Sequence, residues 1–173
     1  MVLSGIGYDV HALTEGRPLI LGGIEIAHAR GLLGHSDADV LAHAIADALL
    51  GAVGAGDIGH HFPNTDESIR GMRSTQILAE VAAILAGKSA RIINIDATVI
   101  AEAPKIAPHL SAMRTALAEA LQMPMARVSI KATTNEGLGF LGRAEGIAAL
   151  AIASVEQAEP DDATAPPLPA VGL

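Results

Sequence analysis

The chain has 173 residues, half of them hydrophobic and only 2% aromatic, with no cysteine and a formal net charge of −8. That is one domain of ordinary size with an aliphatic core; it excludes disulfides and thiolate metal sites and offers no basic face for nucleic acid. No charged leader precedes an apolar stretch and no run of about 18 apolar residues exists, so a soluble cytoplasmic protein is expected.

In chain order, Leu3 to Val10 reads as a strand, and Pro18 to Ile26 as a hairpin folded at Gly22-Gly23, where paired glycines tolerate the positive φ of a tight turn. Gly31 to Gly34 reads as a loop. Ser36 or Asp37 then caps a helix to about Val53, with apolar residues at 41, 45, 48, 49 and 52. Gly54 to Glu67 is a long Gly/Pro/Asp-rich loop of the kind that carries function. Ser74 to Leu85 is a second helix, Arg91 to Ala101 a β-branched strand, Ala107 to Leu121 a third helix stopped before Pro124, and Val128 to Thr133 a strand. After the glycine-rich stretch Asn135 to Gly142, Gly146 to Val155 is an almost continuously apolar strand. Such a strand is covered on both faces, here by helices on one side and another subunit on the other. Separate helices on a mixed sheet indicate an α+β fold, a two-layer mixed β-sheet with helices on one face. The domain is expected over residues 1–157. Residues 158–173, rich in Ala, Pro and acid, are expected to form a disordered tail.

The chemistry concentrates at Asp9, His11 and His43. Residues two apart on a strand share a face, so Asp9 and His11 present a carboxylate and an imidazole together. A third ligand from His43 on the helix leaves a tetrahedral zinc one open position, the pattern of a catalytic site. Asp39 and Asp47, four residues either side of His43, are candidates to accept its second N–H. His35-Ser36 lies where a helix start attracts phosphate, although the local pattern by itself favours a plain cap. Asp57, Gly59, Phe62 and Asp66 lie in the long loop, where a carboxylate beside glycines can take ribose hydroxyls and where turn chemistry also accounts for the composition. The adjacent pair His60-His61 diverges. Ala101 to Lys105 can read a base edge through exposed backbone, or simply turn from strand to helix. Thr133, Thr134 and Glu136 at a strand end suit a phosphate chain with a divalent cation. Arg143 can take a second anion.

These segments, G-Y-D-V-H (7–11), L-G-G-I-E-I (21–26), G-L-L-G-H-S-D-A-D-V-L-x-H-A-I-x-D-A-L-L-G-A (31–52), G-D-I-G (56–59), F-P-N-T-D (62–66), A-E-A-P-K (101–105) and K-A-T-T-N-E-G-L-G-F-L-G-R-x-E-G-I-A (131–148), together resemble the 2-C-methyl-D-erythritol 2,4-cyclodiphosphate synthase family of the non-mevalonate isoprenoid pathway. The resemblance implies a lyase-type, metal-dependent cyclase. The 2-phosphate of 4-diphosphocytidyl-2-C-methyl-D-erythritol 2-phosphate attacks the β-phosphorus of the same molecule, and CMP leaves. It further implies zinc on Asp9, His11 and His43, and magnesium or manganese on Glu136. His35 and Thr134 would stabilise the transition state, Asp57 and Gly59 would meet the ribose, residues 101–107 and 133–134 would hold cytosine and the α-phosphate, and loop 62–66 would cover the methylerythritol phosphate. The implied assembly is a homotrimer with sites between subunits, its sheets packed around the axis, and an axial cavity in which Phe140 and Arg143 could hold an isoprenoid diphosphate. The chain departs from the family pattern at Asn64, where Asp is usual, at Ala38, where Gly is frequent, and over Arg70 to Ser74, where Arg73 reverses a charge. Two other classes fit the ligand triad: a zinc phosphohydrolase, and a non-enzymatic trimeric binder of isoprenoid diphosphates with a structural zinc.

Overall fold

Along β1 (Val2–Glu15), residues alternate between exposed and covered, as one buried face requires. Val2, Ser4, Ile6, Tyr8 and Val10 point outward, while Gly5, Gly7, Asp9 and His11 face the interior. The computed structural model describes residues 1–63 and 65–158. After β1 come β2 (Leu19–Leu21), β3 (Ile24–Ile26), β4 (Arg30–Leu32), α1 (Val40–Ala52), α2 (Ile58–His61), α3 (Ser74–Gly87), β5 (Ala90–Ile100), α4 (Leu110–Ala120), β6 (Val128–Thr133), α5 (Gly139–Gly142) and β7 (Gly146–Gln157). Five strands form a mixed sheet in the order β4-β1-β7-β5-β6, in which only β5 and β6 run parallel. β2 and β3 make the separate hairpin, turned at Gly22 (φ 60°) and Gly23 (φ 79°). The α+β architecture with helices on one face stands as expected: α1 packs on β1 and β7, α3 on β5, and α4 on β6.

Helix α1 is buried nearly all round because it lies between the sheet and α3. Its approach to β1 is very close. A Cβ on Gly5 would sit 2.0 Å from the Ala48 carbonyl oxygen, and one on Gly7 2.0 Å from that of Ala44. Two strand glycines therefore set the depth at which α1 lies on the sheet.

Several boundaries differ from the sequence reading. The cap of α1 is Asp39, whose carboxylate accepts the N–H groups of Leu41 and Ala42 and also those of Gly22 and Gly23. Ser36 and Asp37 lie before the helix with other partners. The expected 31–34 loop overlaps β4, whose residues 30–32 pair antiparallel with β1. The glycine-rich 135–142 stretch closes with the short α5. The tail expected over 158–173 lies outside the described residues apart from Ala158, and so does Asn64. No helix among the described residues is long and apolar enough to cross a membrane.

Candidate functional site

Asp9 and His11 reach the helix side of the sheet because the strand alternates, and His43 meets them because Gly5 and Gly7 let α1 come close. Their donor atoms form a near-equilateral triangle. Asp9 Oδ2 lies 2.9 Å from His11 Nε2 and 3.0 Å from His43 Nδ1, and the two nitrogens are 3.2 Å apart. Four ligands at about 2.0 Å around a tetrahedral zinc are about 3.3 Å from one another. The triangle is therefore close to one face of that tetrahedron, and its oxygen and imidazole donors are ones zinc accepts. Among the described residues this is the one cluster of three His, Asp or Glu side chains arranged to hold a metal ion.

The outer atoms of each ligand are also held. Asp9 Oδ1 accepts the Val10 N–H at 2.8 Å. His11 Nδ1 lies 2.7 Å from the Leu33 carbonyl, to which it donates, leaving Nε2 toward the triangle. His43 Nε2 lies 2.9 Å from Ser74 Oγ and 3.2 Å from Ser36 Oγ. Neither Asp39 nor Asp47 takes that position. Asp39 is committed to the helix cap and hairpin, and Asp47 accepts the Ile58 N–H at 2.8 Å. Burial would raise the Asp9 carboxyl, but hydrogen bonds and positive charge from His11 and His43 hold it well below the usual carboxylate range. Burial would lower His11; the bond and charge of Asp9 outweigh it and raise the imidazole above its ordinary value. Asp39 and Asp47 are pushed up, chiefly by burial.

The triangle opens into a cavity of about 440 Å³ lined by Gly34, His35, Ser36, Asp47, Ile58, Gly59, Phe62 and Pro63 as well as the three ligands. His35 is within 3.2 Å of the Asp66 carbonyl, so the loop end lies beside it. Asp57 caps α2 through the His60 N–H at 2.9 Å. His61 Nε2 lies 2.7 Å from the Ala55 carbonyl, and neither it nor His60 lines the cavity. Arg17, which the sequence reading passed over, donates to the Gly34 and Ser36 carbonyls and fixes the 34–36 turn. Nothing local in the sequence marks it, because its partners come from another loop. Of the two arginines in the departing 70–74 segment, Arg70 pairs with Glu67 and Arg73 reaches the Gly23 carbonyl.

Ala101, Lys105, Thr133, Thr134 and Glu136 do not line this cavity; Ala101 N–H donates to the Thr133 carbonyl at 3.0 Å. Thr134 Oγ1 donates to Glu136 Oε1 at 3.0 Å, and Glu136 has φ 50°. Glu102, which belongs to the A-E-A-P-K segment but had no role of its own in the sequence, accepts the Asn135 and Gly137 N–H groups and holds the turn. The register places Asp9 opposite Ala149, Ala149 opposite Val99 and Val99 opposite Ala132. The register thus puts Asp9 level with Ala132, next to Thr133, three strand spacings or about 14 Å away across the sheet. Phe140 is exposed on α5, and Arg143 just after it pairs with Glu145 at 2.7 Å.

Residues 2–156 match the model of the YgbB family. A 2-C-methyl-D-erythritol 2,4-cyclodiphosphate synthase from Alkaliphilus metalliredigens is 62% identical over 153 residues, covering 88% of this chain and 96% of that one. A solved structure of 2C-methyl-D-erythritol-2,4-cyclodiphosphate synthase in a CDP-bound form is 37% identical with a TM-score of 0.81, covering 88% of this chain and 99% of that one. The bifunctional IspDF of Campylobacter jejuni is 40% identical with a TM-score of 0.88, covering 92% of this chain; the chain spans 43% of that protein's length. With the motifs in order, the donor triangle in place and the fold superposing, this chain belongs to the YgbB family, that of the 2-C-methyl-D-erythritol 2,4-cyclodiphosphate synthases.

Proposed function

We propose that the chain catalyses the cyclisation its relatives are named for. The 2-phosphate of 4-diphosphocytidyl-2-C-methyl-D-erythritol 2-phosphate attacks the β-phosphorus of its own diphosphate. A new P–O bond forms to the β-phosphorus as the bond to the oxygen bridging to CMP breaks, and CMP leaves with that oxygen. The observation that carries the reading is the Asp9–His11–His43 triangle opening onto the His35–Ser36 turn. Such a reaction needs no protein nucleophile, only positioning and charge stabilisation.

Asp9, His11 and His43 would hold zinc, which bound there supplies a Lewis acid for the β-phosphate. Glu136, an exposed carboxylate with the Thr134 hydroxyl beside it, suits magnesium or manganese, which bind one or two carboxylates together with substrate phosphates. His35 and Thr134 would stabilise the phosphoryl charge, and Ser36 would hold a phosphate oxygen at the cavity wall. Asp57 and Gly59 would bind ribose. Ala101, Lys105 and Thr133 would hold cytosine and the α-phosphate, while Phe62 and Asp66 would cover the methylerythritol phosphate. The span of about 14 Å across the sheet supports a site completed by a second copy; the assembly would be a homotrimer with the outward face of β1 and β7 toward the axis. Phe140 and Arg143 would face an axial cavity able to take an isoprenoid diphosphate. We place residues 1–157 in the catalytic domain, leave 158–173 as a tail outside it, and take the cytoplasm as the compartment.

Incubation with the diphosphocytidyl substrate, zinc and magnesium, followed by phosphorus NMR, tests this. Cyclic diphosphate and CMP in equal amounts are expected, and His43→Ala should lower the rate on the order of 10³-fold. Inorganic phosphate as the product would reject the cyclase in favour of a hydrolase. Unchanged CMP release by His43→Ala would remove the metal triad from the mechanism.

A further inference from the structure

The imidazole of His43 is gripped from both sides. Nδ1 faces the triangle, while Nε2 points away from it to the hydroxyl of Ser74, the first residue of α3, at 2.9 Å. That hydroxyl is also hydrogen-bonded to Asp37 Oδ1, and Asp37 Oδ2 accepts the Ser74 backbone N–H at 2.9 Å. Ser36 Oγ, the farther of the two at 3.2 Å, accepts the Ala38 N–H, which leaves its own proton and one lone pair free, so the nearer Ser74 decides where the Nε2 proton sits. An ionised carboxylate only accepts, so the single hydroxyl proton of Ser74 goes to Asp37. What remains on Ser74 Oγ is lone pairs, and a bond from Nε2 to them requires the proton to sit on Nε2. With a single proton on the ring, Nδ1 is left bare and faces the triangle.

We propose that Asp37 and Ser74 form a relay that fixes the tautomer of His43 and so presents Nδ1 as the metal-ligating atom. The inference rests on reading the triangle as a zinc site. Both are positioning residues: neither lines the cavity. The relay joins two walls of the site. Asp37 lies in the turn before α1 and Ser74, fully buried, begins α3. Backbone bonds from Asp37 N–H to the Met72 carbonyl (3.2 Å) and from Gly71 N–H to the His35 carbonyl (3.0 Å) hold the two segments together. His11 receives the same service from the Leu33 carbonyl, so of the two imidazoles only His43 depends on side chains for its orientation.

The test is zinc competition against a chromogenic chelator on the metal-free full-length protein, its Ser74→Ala, Ser74→Thr and Asp37→Asn variants, at one pH. Ser74→Ala should bind zinc about 10–100-fold more weakly than the parent, Asp37→Asn several-fold more weakly, and Ser74→Thr, which restores a hydroxyl, close to the parent. In the zinc-loaded parent, nitrogen NMR should find the His43 proton on Nε2. Parent-like zinc affinity in both Ser74→Ala and Asp37→Asn, or a proton on Nδ1, overturns the relay. Should Ser74→Ala not fold, Asp37→Asn carries the comparison alone. A parent that binds no zinc overturns the metal reading and the relay with it, a result the parent titration separates from failure of the relay itself.

Discussion

One carboxylate within 3.0 Å of two imidazoles makes the metal-free centre sensitive to pH from both sides. Asp9 is lowered in the folded chain, so its stabilisation is present above its ordinary value of 3.8 and is lost as pH falls through the folded value. His11 is raised, so its share is complete below its ordinary value of 6.5 and is lost as pH rises through the raised one. Without metal, the urea midpoint of the parent should exceed that of Asp9→Asn by more at about pH 5.5 than at about pH 8.5. Zinc affinity should move the other way, weakening as His11 gains a proton that the metal must displace. A gap in urea midpoint that grows toward alkaline pH would contradict the pairing. Asp9, His11 and His43 were readable from strand alternation and helix placement. The group behind His43 was not: Asp39 and Asp47 sit at the right helical spacing but spend their oxygens on backbone N–H groups, whereas Ser74 lies 31 residues away and meets Nε2 only through tertiary packing.

The contact of α1 with β1 depends on two missing side chains. Gly7→Ala would drive a methyl to within 2.0 Å of the Ala44 carbonyl, against helix backbone that cannot rotate away. Overpacking of this kind costs about 1–3 kcal/mol or more, and here it should also lift His43 from Asp9 and weaken zinc binding. Gly51→Ala is the matched control. It lies on α1, nothing stands within 4 Å of its Cβ position, and it should gain roughly 0.5–1 kcal/mol of helix stability. Denaturant unfolding of both variants decides the point; a neutral Gly7→Ala would mean α1 is free to move. The hairpin was legible because Gly22-Gly23 announces its turn. The start of α1 was not, since three candidate caps fall within four residues and the choice is made by the hairpin: the Asp39 carboxylate also holds the Gly22 and Gly23 N–H groups. Ala38, at φ 59°, occupies a left-handed position that glycine adopts freely, which gives the departure noted there a backbone cost.

At the scale of the molecule, the outward face of the sheet is the feature without an account inside one chain. Ile6 pairs with Ile152 and Tyr8 with Leu150, and Ile6 and Ile152 are 69% and 52% exposed. An apolar sheet face of this kind marks an association surface. Ile152→Lys should convert the proposed trimer to monomer in light scattering and remove cyclase activity. An unchanged mass would place the contact elsewhere. The apolar run from Gly146 to Val155 pointed to a second covering layer, but a pattern within one strand carries no information on how many copies share it. The spacing of about 14 Å across the sheet has a further consequence. In the proposed trimer, a subunit spoiled at His43 and a subunit spoiled at Glu136 should each be inert alone, yet shuffled together they should revive about a quarter of the parent rate, since one junction in four pairs the sound edge of each.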